Sequence, residues 1–310
     1  MIQACIAALL ALSSAACVAF GDVLQQRVAY RFTDRSFGHI ALLTRLVPDR
    51  QWQWGALLLA ASVGLQAAAL SQGSVLLVQA LLVLSVLFAL VVNARLDRRA
   101  VTRAEWTWAG LLTAAVALIV TVGNPQAGPS SASGHAWVAV AAVLGPLLAA
   151  CVVAARHRRG ATPAMLLAFV AGSLWGIFAV LTRQVASRFG DSLWELAGTP
   201  EFYGCLLTVA GGFVFGQAAF RAGPLTASMP TLEVSQPIVA AALGVTVLGE
   251  TFNTGRLPLI ALSAAALVMV AAIVKLARLE AVAAAGAPEP VEPTSAAAAD
   301  AVRRRELSTV

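Results

Sequence analysis

The sequence predicts an all-α, polytopic integral membrane protein with about nine transmembrane helices. Three observations carry this. Of 310 residues, 59% are hydrophobic and only 12% charged, where a soluble domain carries roughly a quarter charged residues. The apolar residues fall into nine runs near the length of about 20 that crosses a bilayer. The basic residues cluster between those runs, as they do beside transmembrane helices. A soluble globule of this length has too little interior for so much apolar surface, whereas lipid accepts it.

The runs, in order, are Ile2–Leu24, Trp54–Leu70, Val75–Ala94, Trp106–Val122, Trp137–Ala155, Ala164–Leu181, Tyr203–Phe220, Leu225–Leu248 and Leu257–Leu276. Trp52, Trp54, Trp106, Trp108, Trp137, Tyr30 and Tyr203 lie at or beside their ends, where amphipathic rings suit the headgroup level. Ser36–Val47 is too short and mixed to span and is expected to be an interfacial helix. No basic residue precedes Ile2–Phe20, and that stretch is longer than the apolar region of a signal peptide, so it is expected to be kept as the first span.

Orientation follows from the charges. With the N-terminus outside, the inner connections receive Arg27, Arg31, Arg35, Arg45, Arg50, Arg95, Arg98, Arg99, Arg103, Arg156, Arg158, Arg159 and Arg221. The tail adds Lys275, Arg278, Arg303, Arg304 and Arg305; the outer side receives only Arg183, Arg188 and Arg256. Eighteen against three is a strong bias by the positive-inside rule, and one span more or fewer would scramble it. The expectation is a bacterial inner (plasma) membrane protein, N-terminus outside and C-terminus cytoplasmic.

The halves resemble each other. Ala68–Leu90 and Ala218–Ala240 align at an offset of about 150, with Ala68, Ala69, Gly73, Leu82 and Ser85 matching Ala218, Ala219, Gly223, Leu232 and Ser235. AFGDVLQQRVA near the start resembles LWGIFAVLTRQVA at Leu174–Ala186. Four helices, a connecting helix and four more put five crossings between equivalents, so the second half enters from the opposite face. Two inverted four-helix repeats of this kind are a common transporter plan. The expected divisions are 1–122, the first repeat; 123–157, an outer loop and the connecting helix; 158–279, the second repeat; and 280–310, a disordered tail rich in Ala, Pro and Glu.

Several motifs together resemble the drug/metabolite transporter superfamily, in particular its EamA-type members. They are Phe20-Gly21 and Trp175-Gly176 in the first helix of each half, the turn Ala222-Gly223-Pro224, the Pro-interrupted helix after it, and Leu248-Gly249-Glu250 at its end. The resemblance covers roughly residues 1–277 and implies a secondary transporter of a small metabolite, often driven by a proton or ion gradient. The chain departs from the family plan of ten helices by lacking a spanning second helix in each half. The acidic end motif is clear only in the second half; the first reads Asn93-Ala94-Arg95-Leu96.

Other chemistries find no footing. The net charge of +6 comes in short Arg clusters without interleaved aromatics, which argues against nucleic acid. Cys5, Cys17, Cys151 and Cys205 lie in apolar runs without metal or disulfide spacing. His39, His135 and His157 lie in connections, with no catalytic constellation around them. No enzyme activity, cofactor or metal is expected; the partners are the bilayer and a small solute, and a homodimer is left open.

Polar residues inside spans are few. Glu233 lies between Pro230 and Pro237, with Gln236 one turn on. A carboxylate there is costly unless neutral, paired or facing water. The prolines free backbone carbonyls, so Glu233 is the best candidate for coupling or binding, against a structural hydrogen bond between helices. Asp22 is either part of a site at the inner mouth or a solvated helix end beside a snorkelling Arg27. Gln79 and Ser85 lie on the helix paired by the repeat with that of Glu233, and either line a pathway or bridge helices. Trp175, mid-helix, either lines a cavity or fills the core. The expected function is secondary transport of a small organic metabolite. The alternatives are a magnesium-type divalent-cation transporter, for which carboxylates are few, and a non-transporting membrane scaffold.

Overall fold

The computed structural model describes residues 2–31, 49–129, 133–188, 195, 197–252 and 256–285. The interfacial helix expected at Ser36–Val47 and most of the tail fall outside the described residues. Ten α-helices and one two-residue strand pair are present among them: α1 (Ile2–Arg31), α2 (Arg50–Gln72), α3 (Val75–Leu82), α4 (Ser85–Leu96), α5 (Arg103–Thr121), β1 (Pro125–Gln126), α6 (Gly134–His157), α7 (Thr162–Ala186), α8 (Pro200–Ala222), α9 (Leu225–Thr246), β2 (Thr251–Phe252) and α10 (Arg256–Ala285).

Eight of these spans are long and apolar enough to cross a membrane, with α3 and α4 counted as the single span Val75–Leu96. The ninth membrane-length helix, α9, has 22 residues, but Pro230, Glu233, Gln236 and Pro237 lower its hydropathy. The protein is thus an all-α, multi-pass membrane protein. Its surface agrees: Leu9, Leu207, Ile260 and Leu267 are each at least 67% exposed, which suits contact with lipid tails and not with water.

Local chemistry sets the helix ends. The Asp49 carboxylate accepts from the backbone N–H of Gln51 and Trp52 at the start of α2. The Ser74 hydroxyl does the same for Leu77 in α3. Thr102 and Glu105 form a reciprocal capping box on α5, satisfying donors that have no intrahelical partner. Two helices are longer than the apolar runs suggest. The first continues past Leu24 to Arg31, and α10 passes residue 280 to Ala285 because Ala-rich sequence favours helix.

Small residues let the helices approach. Ala7, Ala11, Ala15 and Ala19 recur every four residues along α1 and are all at most 1% exposed. Spacing by four puts them on one face, a small-residue seam of the kind that packs membrane helices. The first helix lies against α2, α3 and α4, and Ser14 donates its hydroxyl to the Ser62 carbonyl of α2 at 2.8 Å. In the second half α7 lies against α8 and α9, while α5 and α10 pack across the halves. The span of α3 and α4 is broken at Val83–Leu84, where Leu84 and Val86 donate to carbonyls three residues back, a tightening that kinks a helix. Its neighbour α9 carries two prolines inside.

Contacts between connections show which ends lie together. Strands β1 and β2 pair antiparallel, Pro125 opposite Phe252 and Gln126 opposite Thr251, so the connections after α5 and α9 share one end of the bundle. Arg183, in the last turn of α7, reaches Gly73 and Gly128 at that same end. At the other end Arg27 pairs with Asp97, and Arg99 with Glu105.

Candidate functional site

A cavity of about 50 Å³ lies toward the Arg27–Asp97 end, lined by α1, α4, α9 and α10. Its polar walls are Asp22, Ser85, Asn93 and Glu233; Val18, Val86, Ala89, Met229 and Ala277 are among the apolar ones. The positions follow from helical spacing. Ser85 and Asn93 are just over two turns apart on one face of α4, and Val18 and Asp22 one turn apart on α1. On α9, Met229 and Glu233 are likewise one turn apart.

Asp22 lies on the cavity wall and is exposed. Glu233 is half-buried, and the two carboxyl groups are close enough to interact electrostatically. Among the described residues no basic side chain lines the cavity. The volume has room for a water or two, far below the several hundred Å³ of a site for an organic ligand. The arrangement is therefore a small one in which two carboxyl groups can hold or exchange protons.

Asp22, Ser85 and Glu233, singled out from the sequence, come together here. Asp22 is not at the end of its helix, because α1 continues to Arg31, and Arg27 is engaged by Asp97. Three other candidates do not line the cavity. Gln79 is 3% exposed on α3, with no partner for its side-chain nitrogen among the described residues. Gln236 turns its backbone carbonyl toward Gly176 of α7, where a Cβ would sit 2.8 Å away. Trp175 stacks edge-on against Phe178 with centroids 5.7 Å apart and meets Gly212 of α8, so its ring fills the interface of α7 and α8. The two aromatic-Gly pairs also differ: Gly21 adjoins Gly55 of α2, whereas Gly176 adjoins α9. An open cleft of about 460 Å³ beside Arg50, Gln53, Trp54 and Leu57 is larger but gathers no pair of titratable groups.

Sequence reading missed Asn93, which is polar and shares a face with Ser85, and it missed the role of a second cluster at the Gly73 end. There Gly249, at φ +61°, takes the left-handed conformation that favours glycine and turns Glu250 back toward α3. The Glu250 carboxylate, fully buried, accepts from the N–H of Val75 at 2.6 Å and of Leu76 at 2.9 Å. These are orphan donors at a helix start, where negative charge is favoured. Burial pushes the Glu250 carboxyl up, while the two N–H donors and Arg183 pull it down, with burial the larger effect. The Arg183 guanidinium, 3.7 Å from Glu250, donates to the carbonyls of Gly73 and Gly128 and reaches that of Leu70 at 3.5 Å. After α4 the chain turns through Asp97-Arg98-Arg99, a little beyond Asn93-Ala94-Arg95-Leu96. Arg98 there takes φ 52°, and Arg99 bonds Glu105 at 2.9 Å.

No family model matches the chain, and no solved structure matches it. A relative described as an uncharacterized protein of Corynebacterium glutamicum is 34% identical over 275 residues, covering 88% of this chain and 95% of the relative. With that identity along nearly the whole of both chains, this protein belongs to the same family as the Corynebacterium glutamicum protein.

Proposed function

We propose that the protein is a secondary transporter of a small organic metabolite, of the drug/metabolite type, coupled to a proton gradient through Asp22 and Glu233. The observation that carries this reading is that the two carboxyl-bearing side chains, 211 positions apart by residue number (233 − 22), line one cavity between helices of both halves. Two neighbouring carboxyl groups within membrane-spanning helices, with no basic side chain lining the cavity, are costly to ionise together, so protons or a cationic solute would accompany the emptying of the site. The similar packing of α1 on α2 and α3–α4, and of α7 on α8 and α9, supports two inverted repeats. The charge bias supports an inner-membrane protein with a cytoplasmic C-terminus and, with it, a Gly73 end that faces outside.

The test is flux. Liposomes containing the purified protein and a trapped pH dye are given a pH gradient and then a small-molecule extract of the cells. The extract should collapse the gradient through the wild-type protein. Neither Glu233→Gln nor Asp22→Asn, folded and inserted, should support that. Gradient collapse equal to wild type in a stable Glu233→Gln protein removes the coupling role, and no collapse with any extract removes the transporter. One observation favours a second reading: the oxygens of Asp22, Glu233, Ser85 and Asn93 around so small a space would suit a magnesium-sized ion. Among the described residues, however, no group of three or more His, Cys, Asp or Glu side chains could hold a metal. Flux that requires magnesium and no organic solute would favour the cation transporter.

A further inference from the structure

We propose that Arg183 and Glu250 form a latch that closes the pathway at the Gly73 end and releases the α2–α3 turn as one unit when that end opens. This rests on the transporter reading. The geometry that carries it is the division of contacts between the halves. Arg183 and Glu250 both belong to the second half and pair with each other. What they grip lies outside the second half: Arg183 holds the carbonyls of Leu70 and Gly73 in the first half and of Gly128 in the connecting loop, and Glu250 holds the N–H groups of Val75 and Leu76 in the first half.

The grip matches the polarity of its target. The chain at Gly73 is the end of one helix and the start of the next. The end of α2 presents carbonyls with partial negative charge, and the start of α3 presents N–H groups with partial positive charge. The guanidinium meets the first and the carboxylate the second. Both side chains are buried, at 6% and 0% exposed, so the seal at this end excludes water.

Opening there must separate the halves. An ion pair split between them would leave two uncompensated buried charges, which is strongly unfavourable. Here the charges stay paired within the second half, and only their hydrogen bonds to first-half backbone break. The freed backbone groups and the pair can both be met by entering water. The β1–β2 pairing and the packing of α3 on α9 are further contacts at this end and would have to loosen in the same movement. The cavity with Asp22 and Glu233 lies toward the opposite end, as expected for a pathway shut at the latch.

The test reads access to the cavity. The four cysteines are replaced by serine or alanine, and Ala89 on the cavity wall is changed to cysteine as a reporter. An impermeant maleimide is applied from either face of oriented vesicles. Labelling from the Gly73 face should be slow. Val75→Pro should speed it about tenfold, the effect of losing one charge-assisted hydrogen bond, and labelling from the opposite face should slow. Val75 is the first residue of α3, where proline is tolerated, and Ser74 before it is already extended at φ −73°, ψ 153°, as a residue preceding proline must be. The substitution thus removes the N–H and leaves the helix. Glu250→Gln, with its opposed amide donors, should act the same way. Unchanged labelling in a folded Val75→Pro protein, or equal acceleration from both faces, overturns the latch. Flux in the liposome assay decides the transporter reading separately: flux with unmoved labelling removes the latch alone, and moved labelling without flux removes the transporter alone.

Discussion

At the scale of the residue, the most consequential side chains are charged groups inside the protein, and Arg183 and Glu250 form a buried pair that also bonds the backbone at Gly73, Val75 and Leu76. Removing one partner of a buried pair leaves an uncompensated charge, at a cost of about 3–5 kcal/mol, whereas replacing both with apolar residues of similar size is often nearly neutral. Arg183→Ala is therefore expected to lower the melting temperature in detergent sharply. Arg183→Met combined with Glu250→Leu should lower it less than the sum of the single changes. Arg183→Lys should not restore the wild-type value, because a point ammonium cannot reach the carbonyls of Gly73 and Gly128 and the Glu250 carboxylate together. Additive single effects in the double-mutant cycle would show that the two residues act independently. Little of this was legible in the sequence. Leu248-Gly249-Glu250 stood out as a motif, but its partners are backbone N–H groups 174 and 175 residues away, and backbone donors leave no mark in residue identity. Glu233 was legible because a carboxyl amid apolar residues is rare. Asp22 was half legible, since its run of apolar neighbours ends at Leu24 while the helix itself does not.

At the scale of the element, close approach of helices governs stability, and the seam between α7 and α9 is the tightest case near the site. A Cβ at Gly176 would lie 2.8 Å from the Gln236 carbonyl oxygen, 3.0 Å from the Ala240 nitrogen and 3.0 Å from Val239 Cβ. The first two are backbone atoms of α9 and cannot swing aside. Gly176→Ala should therefore push the helices apart and destabilise by about 1–3 kcal/mol, the usual cost of overpacking. Gly110, inside α5, has nothing within 4 Å of an added Cβ. There the same change relieves the glycine penalty in a helix and should stabilise by about 0.5–1 kcal/mol. Thermal unfolding of the two variants side by side gives opposite shifts if inter-helix distance decides; a loss of stability at both would mean that it does not. The sequence announced both spans but not this difference, because a glycine in an apolar run looks the same whether it faces lipid or another backbone.

At the scale of the whole molecule, the proposed inverted repeat requires an odd number of crossings, and in that reading α6 supplies the crossing that makes it odd. This 24-residue helix packs chiefly on α7, and Trp137, Val140 and Leu144 lie against the main hydrophobic core. Val138, Val143, Leu147 and Val153 are all at least 45% exposed. Changing those four to other apolar residues removes almost no protein contact, so each should cost less than about 0.5 kcal/mol and leave flux intact. Deleting residues 134–157 is a different matter. The second half would then begin from the wrong face and deliver Arg183 and Glu250 to the end opposite Gly73, where no α2–α3 turn awaits them. Its inner arginine clusters would also be sent outward, against the positive-inside preference. The deletion should abolish both the cooperative thermal transition and flux, and an unrelated apolar span of equal length that keeps Trp137, Val140 and Leu144 should restore them. Reporters check the parity directly: in the intact chain one near Ser133 should be outside and one after Val310 cytoplasmic. If the deleted chain still melts cooperatively and still shields an Ala89→Cys reporter from the Gly73 face, then crossing parity does not bring the two halves together.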